Sequence, residues 1–147
     1  RWMYKILNDP MPVSLHVRRG DYFRSFFLSK EYYEYCVAIL KENFPQMSIY
    51  IFSDDLEWCK RSFNFIVPTY FVDANDERHG WEDMILISRC RHHIMSNGTF
   101  SWWSVWLDNR EGSLVFHPKK RNDVVFGDSF FFGSSQRNLR QIEAPLR

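Results

Sequence analysis

An open α/β fold, a parallel sheet with helices on both faces, is predicted for this 147-residue chain by three observations. Short apolar runs alternate with stretches at helical spacing over most of the sequence. Polar clusters follow three of those runs, where the strands of such a sheet end. The 45% apolar and 18% aromatic content is enough for a sizeable core in a single domain of this length.

Residues 13–18, led by Val13 and Leu15, read as the first strand. Ser29 is the expected N-cap of a helix reaching residue 40, with Tyr32, Tyr33, Cys36, Val37 and Leu40 on one side. Residues 48–52 give a second strand ending at Ser53-Asp54-Asp55, and a short helix follows over 56–61. A third strand is expected over 65–72, and Pro68 within it marks an edge. A helix over 81–89 carries Trp81, Met84, Ile85 and Ser88 along one side. Residues 93–95 form a short strand, Asn97-Gly98-Thr99 a turn, and 100–107 an aromatic helix. A fifth strand over 114–116 closes the sheet. Beyond it the basic run 119–121 and the segment 130–135 show no clear periodicity, so 1–121 is expected to form the domain and 122–147 a peripheral tail.

Nineteen basic against eighteen acidic side chains leave a net charge of +1, so no global field recruits nucleic acid or an anionic membrane. Anion binding must be local. Cys36, Cys59 and Cys90 are far apart and odd in number, which fits a reducing compartment or simple burial and implies no disulfide framework. No apolar run approaches the roughly 20 residues of a membrane-spanning helix, and no signal peptide is visible. Arg1 is not an initiator methionine, and the chain is expected to be a fragment whose remainder holds an anchor or a second domain.

The first polar cluster, His16-Val17-Arg18-Arg19-Gly20-Asp21-Tyr22, sets two arginines at a strand end. Buried charge is costly without a partner, so paired guanidinium groups there suit a phosphate or carboxylate. Strand alternation puts His16 and Arg18 on one face and Val17 and Arg19 on the other, which makes Arg18 the first choice for the anion. Arg19 pairs with Asp21 or reaches the same ligand if the chain turns at Gly20; a structural arginine–aspartate pair is the plainer alternative. In the second cluster Asp54 and Asp55 either accept hydrogen bonds from a base or ribose, or favour the following helix N-terminus. In the third, Asn97, Thr99, Phe100 and Ser101 offer hydroxyls and backbone N–H groups as a phosphate cradle, or Thr99 and Ser101 simply cap the helix. Asn97-Gly98-Thr99 also fits the glycosylation sequon, which carries little without a secretory signal. Trp102, Trp103 and Trp106 read as core and helix packing rather than a sugar platform. His92 and His93 are adjacent and do not share a face as a metal pair does. No Walker, dinucleotide or Gly-x-Ser-x-Gly signature is present, so kinase, dehydrogenase and hydrolase readings lose their usual support.

Together, the His16–Tyr22 cluster, the block Ser53-Asp54-Asp55-Leu56-Glu57-Trp58 and the run from Asp83-Met84 through Asn97-Gly98-Thr99-Phe100-Ser101-Trp102-Trp103 resemble glycosyltransferase family 11, the α-1,2-fucosyltransferases. The three motifs fall in order between residues 13 and 120. The resemblance implies a Rossmann-like domain that forms one half of a GT-B-type fold, the C-terminal half that binds GDP-fucose, with the N-terminal half missing. It further implies inverting, metal-independent transfer of L-fucose from GDP-β-L-fucose to the 2-hydroxyl of a galactose-terminated glycan, with no cofactor. By similarity Arg18 meets the donor pyrophosphate, and His16 with Asp54 or Asp55 approaches the nucleoside. Arg18, Arg19 and the helix N-terminus near Thr99 and Ser101 offset the charge on departing GDP, and Asp21 is a candidate base. The implied location is a membrane, on the cytoplasmic side in a bacterium or alternatively in the Golgi lumen. The family has Asn followed by two small hydroxyl residues before the phenylalanine, whereas this chain has Gly98 and Thr99. Two rival readings are a non-catalytic nucleotide- or sugar-binding module and a structural α/β domain whose arginines serve internal salt bridges.

Overall fold

The computed structural model of the chain describes residues 1–19, 28–73, 80–96, 99–108, 110, 112–118 and 139–144. Its strands are β1 (Pro12–Val17), β2 (Ser48–Ser53), β3 (Thr69–Phe71), β4 (His92–Ile94), β5 (Ser113–Pro118) and β6 (Leu139–Ala144). Its helices are α1 (Trp2–Leu7), α2 (Lys30–Asn43), α3 (Leu56–Ser62), α4 (Gly80–Ser88) and α5 (Thr99–Trp106). All strand pairs are parallel, in the order β3-β2-β1-β4-β5-β6. The chain therefore starts mid-sheet, builds outward through β2 and β3, and returns to β4 beside β1 to build the other way. This is the doubly wound order of Rossmann-like folds, and the α/β class expected from the sequence holds.

Side-chain alternation sorts the core into two layers. Val13, Leu15 and Val17 of β1 and Ile49 and Ile51 of β2 meet Tyr32, Tyr33, Cys36, Val37 and Leu40 of α2 and Cys59 of α3. The five α2 residues are the stripe that the spacing predicts, and Ser29 Oγ caps the helix by accepting from Tyr32 N–H at 3.3 Å. On the opposite face Tyr50 and Phe52 pack against Ile6 of α1 and Leu86 and Ile87 of α4, while Met95 and Val115 pack against Val105 of α5. Burying so much apolar surface on both faces is what an all-parallel sheet requires. The three cysteines are buried and free; burial pushes the Cys36 thiol up to about 12 and Cys59 up to about 11, which leaves them packing residues.

Three details differ from expectation. The third strand is only three residues rather than 65–72, because Pro68 has no N–H to pair; Phe65 and Val67 instead pack into the α2–α3 layer. The edge position expected for it is correct. The sheet has six strands rather than five, the sixth coming from the aperiodic segment after residue 121 and pairing with β5 along its whole length. The first ten residues, silent in the sequence, supply α1, whose Ile6 is buried under β2.

One polar network crosses the core. His93 Nδ1 meets Ser14 Oγ at 2.8 Å, His93 Nε2 meets Asp108 Oδ2 at 2.6 Å, and Ser113 Oγ donates to the same oxygen at 2.9 Å. Arg110 Nε donates to Asp108 Oδ1 at 3.1 Å. Burial opposes the Asp108 charge, but the His93 hydrogen bond and the nearby positive charge outweigh it and hold the carboxyl at about 2. Burial chiefly pulls His93 down, so a neutral imidazole donates to an ionised carboxylate. Serine, histidine and aspartate in this order are the residue types of a hydrolytic triad, yet Ser14 is 1% exposed and His93 0%, so no substrate reaches them. The network ties β1, β4 and β5 to the end of α5. Asp108→Ala removes the acceptor for donors on three residues, His93, Arg110 and Ser113, and is expected to cost about 3–5 kcal/mol, read as a lower urea midpoint; a change under about 1 kcal/mol contradicts this role.

Candidate functional site

The connections from β1 and β4, neighbours in the sheet, leave on opposite faces, through α2 and α5 respectively, and such a divergence opens a crevice at the strand ends. The parts of the three polar clusters that the structure describes converge there. Arg18 N–H donates to Ser96 Oγ at 3.2 Å, and Arg19 N–H donates to Asp54 Oδ1 at 2.8 Å. Ser96 N–H donates to Ser101 Oγ at 3.1 Å, and Ser101 Oγ is hydrogen-bonded to His16 Nδ1. Backbone groups leaving β1 and β4 are thus satisfied by side chains from β2's end, the β4–α5 turn and α5.

The face assignment holds for His16 and Arg19. His16 turns toward α5, its ring centroid 4.9 Å from that of Phe100, whose edge lies against Gly80 of α4. Arg19 lies on the Val17 face, its guanidinium 4.0 Å from the ring centre of Trp58 on α3, a cation–π distance. Burial lowers His16 to about 4, with Asp54 pulling the other way and Arg18 adding to the fall, so the ring is neutral near pH 7. The two aspartates divide the roles left open above: Asp55 Oδ1 caps α3 by accepting from Trp58 N–H at 3.1 Å, and Asp54 fastens the Arg19 backbone. Asp21 and Asn97 lie outside the described residues, as does the side chain of Thr99, the first residue of α5.

Ser96 and Tyr33 were not singled out by sequence. Tyr33 Oη donates to Ser96 Oγ at 3.3 Å, and Tyr32 Oη donates to Met95 O at 2.7 Å, so α2 grips the exit of β4. The available signal was the pair of tyrosines on a buried stripe, since a buried phenol needs a partner. The tryptophans need a correction: Trp102 packs inward against the Met95, Val105 and Val115 group, but Trp103 and Trp106 are 48% and 40% exposed. His92 Nδ1 accepts from Leu114 N–H at 2.9 Å and belongs to the β4–β5 seam. Among the described residues no group of three or more His, Cys, Asp or Glu side chains is placed to hold a metal ion, and no helix is long and apolar enough to cross a membrane. The cleft between α1 and α4, about 590 Å³ and lined by Trp2, Asp73, Trp81 and Ile85, takes in none of the converging polar residues. Chemistry rather than size selects the crevice.

The doubly wound sheet, with an arginine pair and a helix N-terminus at its switch point, defines a Rossmann-like α/β domain whose strand ends carry groups chemically suited to an anion. Comparison with known proteins narrows the class. The profile of Glycosyl transferase family 11 matches residues 4–129, and the chain belongs to that family. It is 36% identical over 123 residues to the O-antigen biosynthesis glycosyltransferase WbnK of Escherichia coli, covering 78% of this chain and 40% of that protein. It is 35% identical over 117 residues to an Escherichia coli alpha-1,2-colitosyltransferase, covering 72% of this chain and 39% of the relative. To the human galactoside alpha-(1,2)-fucosyltransferase 1 it is 27% identical over 103 residues, 65% of this chain and 28% of that enzyme. The chain spans about two fifths of the length of the bacterial relatives it matches.

The buried imidazole has a consequence for stability. In the unfolded chain a histidine titrates near 6.5, whereas folded His16 titrates at about 4, so its contribution is complete above pH 6.5 and is lost as pH falls toward 4. His92, also lowered to about 4, acts in the same direction. The urea midpoint is therefore expected to drop between pH 7 and pH 4.5, above the range where Asp108 protonates, with a shallower drop in His16→Gln. A flat midpoint over that range contradicts the neutral, buried state of these rings.

Proposed function

We propose that this chain is the donor-binding part of a galactoside α-1,2-fucosyltransferase, which transfers L-fucose from GDP-β-L-fucose to the 2-hydroxyl of a galactose-terminated glycan with inversion. The observation that carries this reading is the junction of Arg18 with the β4–α5 turn, where the Arg18 backbone is hydrogen-bonded to Ser96 beside the α5 N-terminus. This junction brings the Arg18 main chain beside the positive end of a helix, and a guanidinium joined to a helix N-terminus is the combination suited to a diphosphate. The relatives supply the sugar chemistry: proteins named as α-1,2-colitosyl- and galactoside α-1,2-fucosyltransferases share the matched region.

In the proposed reaction the galactose 2-hydroxyl oxygen attacks the anomeric carbon as the bond from that carbon to the β-phosphate oxygen breaks. GDP leaves with the electron pair, and the hydroxyl proton passes to a general base, for which Asp21 is the candidate in this chain, or to solvent. Arg18 and the α5 N-terminus offset the charge that develops on the departing phosphate. His16 and Asp54 are assigned to the nucleoside side by the same proposal, and Arg19 is held on the α3 face by Trp58, with its backbone bonded to Asp54. Asp55 is occupied as a helix cap and contributes through α3. The other half of the GT-B-type architecture and a membrane location belong to the same proposal.

The greater likeness to a colitosyltransferase than to the human fucosyltransferase favours a second reading, transfer of colitose in place of fucose. Assay of the full-length protein with each sugar nucleotide separates the two.

Arg18→Ala is expected to abolish GDP binding by calorimetry while circular dichroism keeps the wild-type helix content; unchanged affinity removes Arg18 from the site. Transfer by the full-length protein is expected to persist in excess EDTA, because Arg18 and the helix N-terminus carry the phosphate charge. Loss of turnover on chelation, restored by a divalent cation, contradicts that assignment.

A further inference from the structure

Ser101 presents itself in sequence as a ligand hydroxyl, but its surroundings give it other work. It is 1% exposed in the first turn of α5, and its Oγ bonds two groups of this chain. One is Ser96 N–H at 3.1 Å, a backbone donor, toward which Oγ acts as acceptor. The other is His16 Nδ1, an acceptor for the serine's own hydrogen when the ring is the Nε2–H tautomer. Because burial keeps His16 neutral, an Nδ1 that accepts leaves the ring proton on Nε2. Phe100 against the imidazole face restrains its rotation. We infer that Ser101 is a positioning residue: the relay from Ser96 N–H through the Ser101 hydroxyl to His16 Nδ1 fixes the imidazole as a donor at Nε2, available to a ligand oxygen in the crevice.

This inference rests on the donor-site reading for the ligand but not for the tautomer. Without Ser101 the Nδ1 acceptor loses its donor and the two neutral tautomers approach each other in population. A ligand oxygen at Nε2 then meets a ring that presents its proton only part of the time, so affinity falls while the fold persists.

The test uses the full-length protein labelled with ¹⁵N-histidine, His16 being assigned through His16→Gln, and long-range ¹H–¹⁵N correlation at pH 7 reads the protonated nitrogen. The expected result is the Nε2–H tautomer in wild type, a tautomer mixture in Ser101→Ala, and restoration in Ser101→Thr, which keeps the hydroxyl. GDP affinity by calorimetry is expected to fall about tenfold in Ser101→Ala and to return within about threefold of wild type in Ser101→Thr. An Nδ1–H tautomer in wild type overturns the inference, and so does an unchanged Nε2–H tautomer in Ser101→Ala. The wild-type spectrum decides even if the alanine variant fails to fold. Wild-type protein that shows the Nε2–H tautomer but binds no GDP overturns the donor-site reading and leaves the relay standing.

Discussion

Everything at the strand ends depends on satisfying backbone donors where β1 and β4 leave the sheet. Inside the sheet each N–H has a ladder partner, but at the switch point the neighbouring chains diverge and the ladder stops. Ser96, Asp54 and Ser101 supply the missing acceptors for Arg18, Arg19 and Ser96 respectively. A buried donor left without one costs about 1–3 kcal/mol, comparable to a large fraction of a domain's margin. The hydroxyls and carboxylate that look available for a ligand are therefore partly committed to the chain itself. In the proposed site the ligand is met by the Arg18 side chain, the α5 N-terminus and the His16 imidazole.

The position of α5 follows from restraints at both ends. Its first turn is joined to β1 and β4 through Ser101, and the residue after its last turn region, Asp108, is held by His93, Ser113 and Arg110. The middle is held by apolar packing of Val105 and Trp102 on Met95 and Val115. A helix dipole helps an anion only within its first turn, so a small displacement of this helix would move the phosphate position that the proposed function requires. The buried Ser14–His93–Asp108 chain, far from solvent, is in this sense part of the crevice's architecture.

Much of the fold was legible because parallel strands buried on both faces leave near-continuous apolar runs, and because α2 carries a regular stripe of five residues beneath a serine cap. The strand ends were legible for the same reason: polar clusters after apolar runs have few other places to go. The roles of single residues were less so. Asp54 and Asp55 are chemically identical and adjacent, and only the helix geometry decides which one caps α3. Tyr32 and Tyr33 announced burial but not the partners of their hydroxyls, Met95 and Ser96, which follow β4 more than sixty positions away. β6 and α1 escaped because an edge strand and a two-turn helix carry too few apolar positions to set a period.

In the proposed function the crevice between β1 and β4 receives the nucleotide. This is tested most directly by titrating GDP into ¹⁵N-labelled protein and mapping the amide shifts. The largest changes are expected on Arg18, Arg19, Ser96 and the first turn of α5, with Asp54 among the next. Changes concentrated instead on α1 and α4, around Trp2 and Trp81, with the β1 and β4 ends undisturbed, would contradict it.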